Sequence, residues 1–149
     1  MKAFYFINRL VYTVLQWTWG IIQNILGLIL FGIVKRRNPG RRKERYHGAI
    51  VSDWKARHSM GLGMFIFFGH RGTPDADKVL VHEWGHTVQS MILGPLFLLV
   101  IGLPSVIWAD LPCFRRLRAR TGMPYTWLYC EKWANILGEK LLHKPAIWK

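Results

Sequence analysis

Apolar residues run along this chain in stretches whose spacing changes from one to the next. From Leu10 to Val34 they continue without an Asp, Glu, Lys, Arg or His. That is enough helix to cross a hydrocarbon layer of about 30 Å, with Trp17 and Trp19 as interface anchors. Gln16, Gln23 and Asn24 dilute this run and are expected to face protein or to lie near the interface. Two short stretches, Gly48 to Trp54 and Met64 to Phe68, have the length and β-branched or aromatic content of strands. The second is apolar throughout and bounded by Gly63 and Gly69, as in a strand buried on both faces, and the two together predict a small β-hairpin. Asp75 to Leu93 has helical periodicity, with Thr73 as N-cap, Pro74 in the first helical position, Asp75 and Asp77 in the first turn, and Gly94-Pro95 as the stop. Met91 to Ala109 is apolar again but interrupted by Pro95, Gly102 and Pro104, and Tyr125 to Gly138 predicts an amphipathic helix.

Composition turns this pattern toward a membrane. Half of the 149 residues are hydrophobic, with eight Trp and eight Phe, yet 21 basic residues face 8 acidic ones. Apolar content combined with positive charge fits a protein facing anionic headgroups better than a nucleic-acid binder. Seven cations lie between Lys35 and Arg45, directly after the first apolar run, which places that loop in the cytoplasm. Arg115, Arg116, Arg118 and Arg120 follow the second run. A full crossing there would separate the two basic clusters, so a broken, re-entrant segment fits better than a second span. The first run is too long, and lacks a small-x-small cleavage site, for a signal peptide. The expected organisation is an anchor at 1–34, a basic cytoplasmic loop at 35–47 and a membrane-associated domain at 48–149. No internal repeat is evident. Cys113 and Cys130 have no CxxC spacing, and a cytoplasmic face keeps them reduced.

The chemistry is concentrated in His82-Glu83-Trp84-Gly85-His86. Four residues apart on a helix, His82 and His86 can aim ring nitrogens at one Zn2+, with Glu83 beside it to take a proton from a bound water. HExxH also arises by chance, in which case both histidines are core residues. Against that reading, Gly85 weakens the helix by about 1 kcal/mol and implies the close approach of another group. A catalytic zinc needs a third protein ligand and an open position. Among Asp110, Cys113, Cys130, Glu131, Glu139 and His143, Glu131 is favoured because it lies in the last amphipathic helix; Cys113 and His143 come next. Asn135, one turn further on, can orient a ligating histidine, and Gln89 can contact a ligand or substrate. Tyr125 and Tyr129 are candidate donors to a tetrahedral oxyanion. Cys130 is expected to point into the core, and His47, His58 and His70 to lie in loops.

A glutamate with Asn four positions on, paired with HExxH, resembles the gluzincin branch of zinc peptidases. That branch takes its third ligand from a glutamate on a separate helix. The chain is too short and too apolar for a full soluble gluzincin domain. It more closely resembles a group of small bacterial membrane proteins with the pattern H-E-aromatic-G-H-x-x-Q-S, L-G-P, G-x-P-S and E-K-W-A-N. Here these pieces are His82 to His86 with Gln89-Ser90, Leu93 to Pro95, Gly102 to Ser105, and Glu131 to Asn135. The resemblance implies a bacterial membrane protein; with the apolar pattern and the basic cluster, the expectation is a mainly α protein of the inner membrane with its site toward the cytoplasm. The resemblance supports the metal site and brings no known substrate. The HExxH chemistry leads to the expectation of a zinc metalloprotease, and the two strands either offer a sheet edge to a polypeptide substrate or simply cover the HExxH helix. The competing class is a non-enzymatic membrane protein in which the same residues form a structural metal or buried polar site.

Overall fold

The computed structural model describes residues 2–40 and 42–148. Arg41 of the basic run lies outside them, as do Met1 and Lys149. The architecture is mainly helical, at 64%, around a small mixed sheet. Two helices, α1 (Lys2–Thr18) and α2 (Ile21–Arg37), replace the single helix expected over Leu10 to Val34. They meet at an elbow of 96°. No single helix among the described residues is long and apolar enough to cross a membrane.

The elbow follows from the polar residues that dilute the apolar run. Asn24 Nδ2 donates to the Gln16 and Gly20 carbonyls and to Gln16 Oε1, closing the bend on itself. Gln16, Gln23 and Asn24 are all fully buried, so they face protein. Gln16 Nε2 donates to the Thr87 carbonyl at 2.8 Å and Gln23 Nε2 to Ser90 Oγ at 2.8 Å. A helix run straight through Gly20 would forfeit these bonds and bury amides without partners.

Strands β1 (Lys43–Tyr46), β2 (Ala49–Asp53), β3 (Met60–Leu62) and β4 (Phe65–Phe68) form one sheet in the order β1-β2-β4-β3. The two expected strands are present as β2 and β4. They pair in parallel, Ile50 opposite Phe65, rather than as a hairpin. The hairpins are β1–β2, built partly from the basic segment, and β3–β4, turning at Gly63 with φ +60°. Asn24 Oδ1 accepts the Met64 N–H at 2.9 Å, tying the elbow to that turn. All four residues of β4 are buried, since α2 packs on the sheet through Gly27 and Phe31 against Phe65 while α3 packs against β3 and β4.

Helix α3 (Ala76–Leu93) is buried from Val79 to Ser90 without interruption. It begins later than its sequence suggests. Asp75 is the N-cap, Pro74 lies in the preceding turn, and the Thr73 hydroxyl donates to the His70 carbonyl. Gly94, with φ +52°, ends it as expected. A 3-10 turn (Gly94–Leu96) and a π-helical turn (Leu98–Gly102) lead into α4 (Leu103–Asp110), and the chain turns by 118° between the two arms. The basic helix α5 (Pro112–Thr121) and a 3-10 turn (Tyr125–Trp127) precede α6 (Tyr129–Leu142).

The closest helix pairing is α3 with α6. Two glycine notches set it. A Cβ on Gly85 would overlap the Ala134 carbonyl, and one on Gly138 would overlap the Val81 carbonyl. Each helix thus offers one glycine to receive the other's backbone, which accounts for Gly85 inside an otherwise regular helix.

Candidate metal centre

Both HExxH histidines face α6, one turn apart on the buried side of α3. Their Nε2 atoms converge on a single oxygen, Glu131 Oε2, at 3.1 Å from His82 and 3.4 Å from His86. Glu131 is fully buried, and His82 and His86 are 5% and 7% exposed. These three are the group among the described residues whose ligand atoms could hold a metal ion.

The other ring nitrogens decide the protonation pattern. His82 Nδ1 lies 2.8 Å from Asn135 Oδ1, and His86 Nδ1 lies 2.8 Å from Gln89 Oε1. Neither amide can be turned round, because Asn135 Nδ2 donates to the Ile147 carbonyl and Gln89 Nε2 to the Cys130 carbonyl. Both amides therefore present oxygen to the histidines, and each neutral imidazole must carry its proton on Nδ1. That leaves two bare Nε2 lone pairs aimed at a carboxylate oxygen, three acceptors without a donor. Such a knot requires a proton or a cation. Tetrahedral zinc holds its ligands about 3.3 Å from one another, close to the separations here, and its preferred donors are imidazole and carboxylate. The residues fit a zinc ion, and both histidines already have the oriented partners that metal-binding imidazoles usually have.

Electrostatics point the same way. Burial works to raise the Glu131 carboxyl, but His86 and His82 outweigh it and hold the group well below the usual carboxylate range. Burial alone would lower His86, and the Glu131 charge and hydrogen bond reverse that, raising it. Glu83 behaves differently. Its burial, opposed by His82 and by the Gly61 backbone N–H but aided by Glu131, pushes it up to about 7. Its Oε2 is buried without a hydrogen-bond partner among the described residues. Glu83 also lines a cavity of about 770 Å³ together with the triad, β3, α4 and Tyr125. That volume suits a short segment of chain or a drug-sized molecule.

The remaining candidates divide. Tyr125 lines the cavity, its hydroxyl 3.4 Å from Ser105 Oγ, and burial keeps its pKa far above the usual tyrosine value. Tyr129 does not reach the site: it is half-exposed, and its hydroxyl donates to the Val100 carbonyl. Helix α6 starts at Tyr129, so the face carrying Glu131 and Asn135 turns it outward. Cys113 is exposed on α5 and His143 is exposed beyond α6, so neither joins the cluster. Cys130 packs beside Phe97 and Ile101, as a core residue should, but its Sγ also lies 3.6 Å from Glu131 Oε1. Gly61 and the Ile147 carbonyl are contributors the sequence does not announce, since a β-strand glycine and a backbone oxygen carry no motif.

Compared with known protein families, curated proteins and solved structures, the chain matches none of them. The likeness to gluzincins therefore stands on the motifs alone.

Proposed function

We propose that this chain is a membrane-bound zinc metalloprotease. The observation that carries the reading is the convergence of His82, His86 and Glu131 lone pairs beside the partnerless Glu83 oxygen, at the wall of a cavity. A zinc ion held by the triad would supply Lewis acidity, lowering the pKa of a water and polarising a peptide carbonyl. Glu83 takes the proton of the attacking water through Oε2 and passes it to the leaving nitrogen. Glu83 is buried beside the triad with Oε2 lacking a hydrogen-bond partner among the described residues, which leaves that oxygen able to accept the proton. Tyr125, kept protonated by burial, donates from its hydroxyl to the carbonyl oxygen as charge develops there. Asn135 and Gln89 hold the histidine rings in the required tautomer.

A polypeptide substrate is supported by β3, an edge strand beside the triad whose Met60 to Leu62 line the cavity. An extended chain can pair along such an edge. Attachment to the bacterial inner membrane, with the site toward the cytoplasm, belongs to the same proposal. It is supported by the outward apolar side chains of α1 and α2 and by Lys35, Arg36 and Arg37 at the end of α2.

Zinc-repleted protein is expected to contain one zinc per chain by elemental analysis, and substoichiometric zinc would overturn the reading. Glu83→Gln should keep the zinc and the unfolding midpoint but lose about 10²–10⁴-fold in hydrolysis of membrane-derived peptides. Equal turnover by both proteins would remove Glu83 as the base. Zinc without turnover in either would favour a structural metal site.

A further inference from the structure

We propose that substrate enters this site sideways, out of the lipid, past the π-helical turn and α4, and that it is an apolar, membrane-embedded polypeptide segment. The proposal takes its chemistry from the metalloprotease reading, but the route stands on separate observations.

The first observation is an apolar outer surface on both sides of the 118° bend. Ile92 and Leu96 before the bend, and Leu99, Leu103 and Val106 after it, are 51–64% exposed. Phe97, Ile101 and Trp108 on the inner side are buried. A helix facing water places polar residues on its outer stripe, whereas one that is apolar all round belongs in a core or in lipid. This stripe is continuous with that of α2, which packs against the Gly94–Leu96 turn and exposes Ile21, Ile25 and Ile29. Together they expose eight large apolar side chains, a grouping of the kind that marks a membrane or partner surface.

The second observation is charge. Residues 10–34 and 91–109 contain no Asp, Glu, Lys, Arg or His. Exposed cations border them, Lys35 to Arg37 after the first and Arg115, Arg116 and Arg120 after the second. An apolar surface with a cationic margin matches an apolar layer with anionic headgroups. Both helical arms are bent, by 96° and 118°, as in a broken span or a re-entrant loop.

The third observation joins surface to site. Leu103 and Val106 belong to the exposed stripe and also line the metal cavity, with Leu98 and Gly102 deeper along the same wall. Polar side chains line the same cavity, Arg57 and His58 between β2 and β3 and Asp110 and Arg118 by the end of α4, so the apolar α4 wall reaches the triad within a partly polar chamber. A Cβ on Gly102 would meet Leu98 Cδ2 at 3.6 Å, an ordinary van der Waals contact, so a side chain can be added to this wall without displacing backbone.

The route can be read without catalysis. Full-length zinc-loaded protein with Cys113→Ser is placed in phosphatidylethanolamine–phosphatidylglycerol vesicles, with a nitroxide on Leu103→Cys, Val106→Cys or His58→Cys. Oxygen is expected to relax the labels at 103 and 106 several-fold more than a water-soluble nickel chelate, with the order reversed at 58. Nickel access at 106 equal to that at 58 would overturn the route. So would strong coupling between labels on different molecules, because a second copy would then cover the face. For the substrate class, a photoreactive residue replacing Leu103 should cross-link a poly-leucine single-span peptide in the same vesicles. Gly102→Phe, or Val106→Trp as the milder plug, should cut the yield several-fold. Cross-links to lipid alone, or equally to a water-soluble peptide, would overturn it. Failure to bind zinc would instead defeat the metalloprotease and leave these readouts standing.

Discussion

Helix α3 carries a buried polar cluster on each side, and the two are built on opposite principles. On one side Gln16, Gln23 and Asn24 are neutral amides that spend their N–H groups on backbone carbonyls and Ser90, while the Asn24 and Gln16 oxygens accept from Met64 N–H and Ser90 Oγ. Donors and acceptors there nearly balance. On the other side Glu131 and two Nδ1-protonated histidines bring acceptors together with no donor among them. Similar burial thus has different meanings. The first cluster closes on itself and fixes a bend, while the second closes only when a positive charge is added.

That contrast is broken most severely by His86→Ala. It is expected to abolish stoichiometric zinc, and the unfolding midpoint should stop rising with added metal, where wild type gains roughly 3–4 kcal/mol at 100–1,000 times Kd. A midpoint that still rises to the same extent would mean the ion sits elsewhere. Asn135→Ala should leave the fold and the stoichiometry intact but weaken zinc about 10- to 100-fold in a competitive chelator titration. The opposite cluster should respond in stability rather than in metal. Asn24→Ala strands the Met64 N–H and removes one of two donors to Gln16 Oε1, at a cost of about 1–3 kcal/mol in chemical denaturation, with zinc affinity unchanged. Gln23→Met is expected to be mildest, within about 1 kcal/mol, since it also removes an Oε1 that is buried without a partner. A Gln23→Met loss as large as that of Asn24→Ala would show that the two amides do not act in the order argued here.

The cluster of His82, His86 and Glu131 was legible because the spacing rules of a helix are local. HExxH fixes two rings on one face, Glu131 and Asn135 share another face, and Gly85 signals a neighbour that proves to be the Ala134 carbonyl. The elbow was not legible, because Gly20 breaks the helix only through bonds that Asn24 and Gln16 make once α3 and the β3–β4 turn are beside them. Nor was the parallel pairing of β2 and β4. It depends on β3, three residues with a glycine at their centre, too short for any alternation to register. Tyr129 was misplaced because it precedes Glu131 by two positions, about 200° round a helix, so its ring points to Val100 and away from the cluster.

The reciprocal notches at Gly85 and Gly138 work as a ratchet on composition. Sliding α6 by four residues along α3, about 6 Å, would bring Asn135 to the place of Glu131 and exchange an anionic ligand for a neutral one. Nothing in the apolar contacts between two helices would strongly resist such a slip. The carbonyls of Ala134 and Val81 do, because each has one gap to enter and side chains on either side of it. Two missing methyl groups, together with the Gln89–Cys130 and His82–Asn135 bonds, therefore keep a carboxylate rather than an amide beside the histidines.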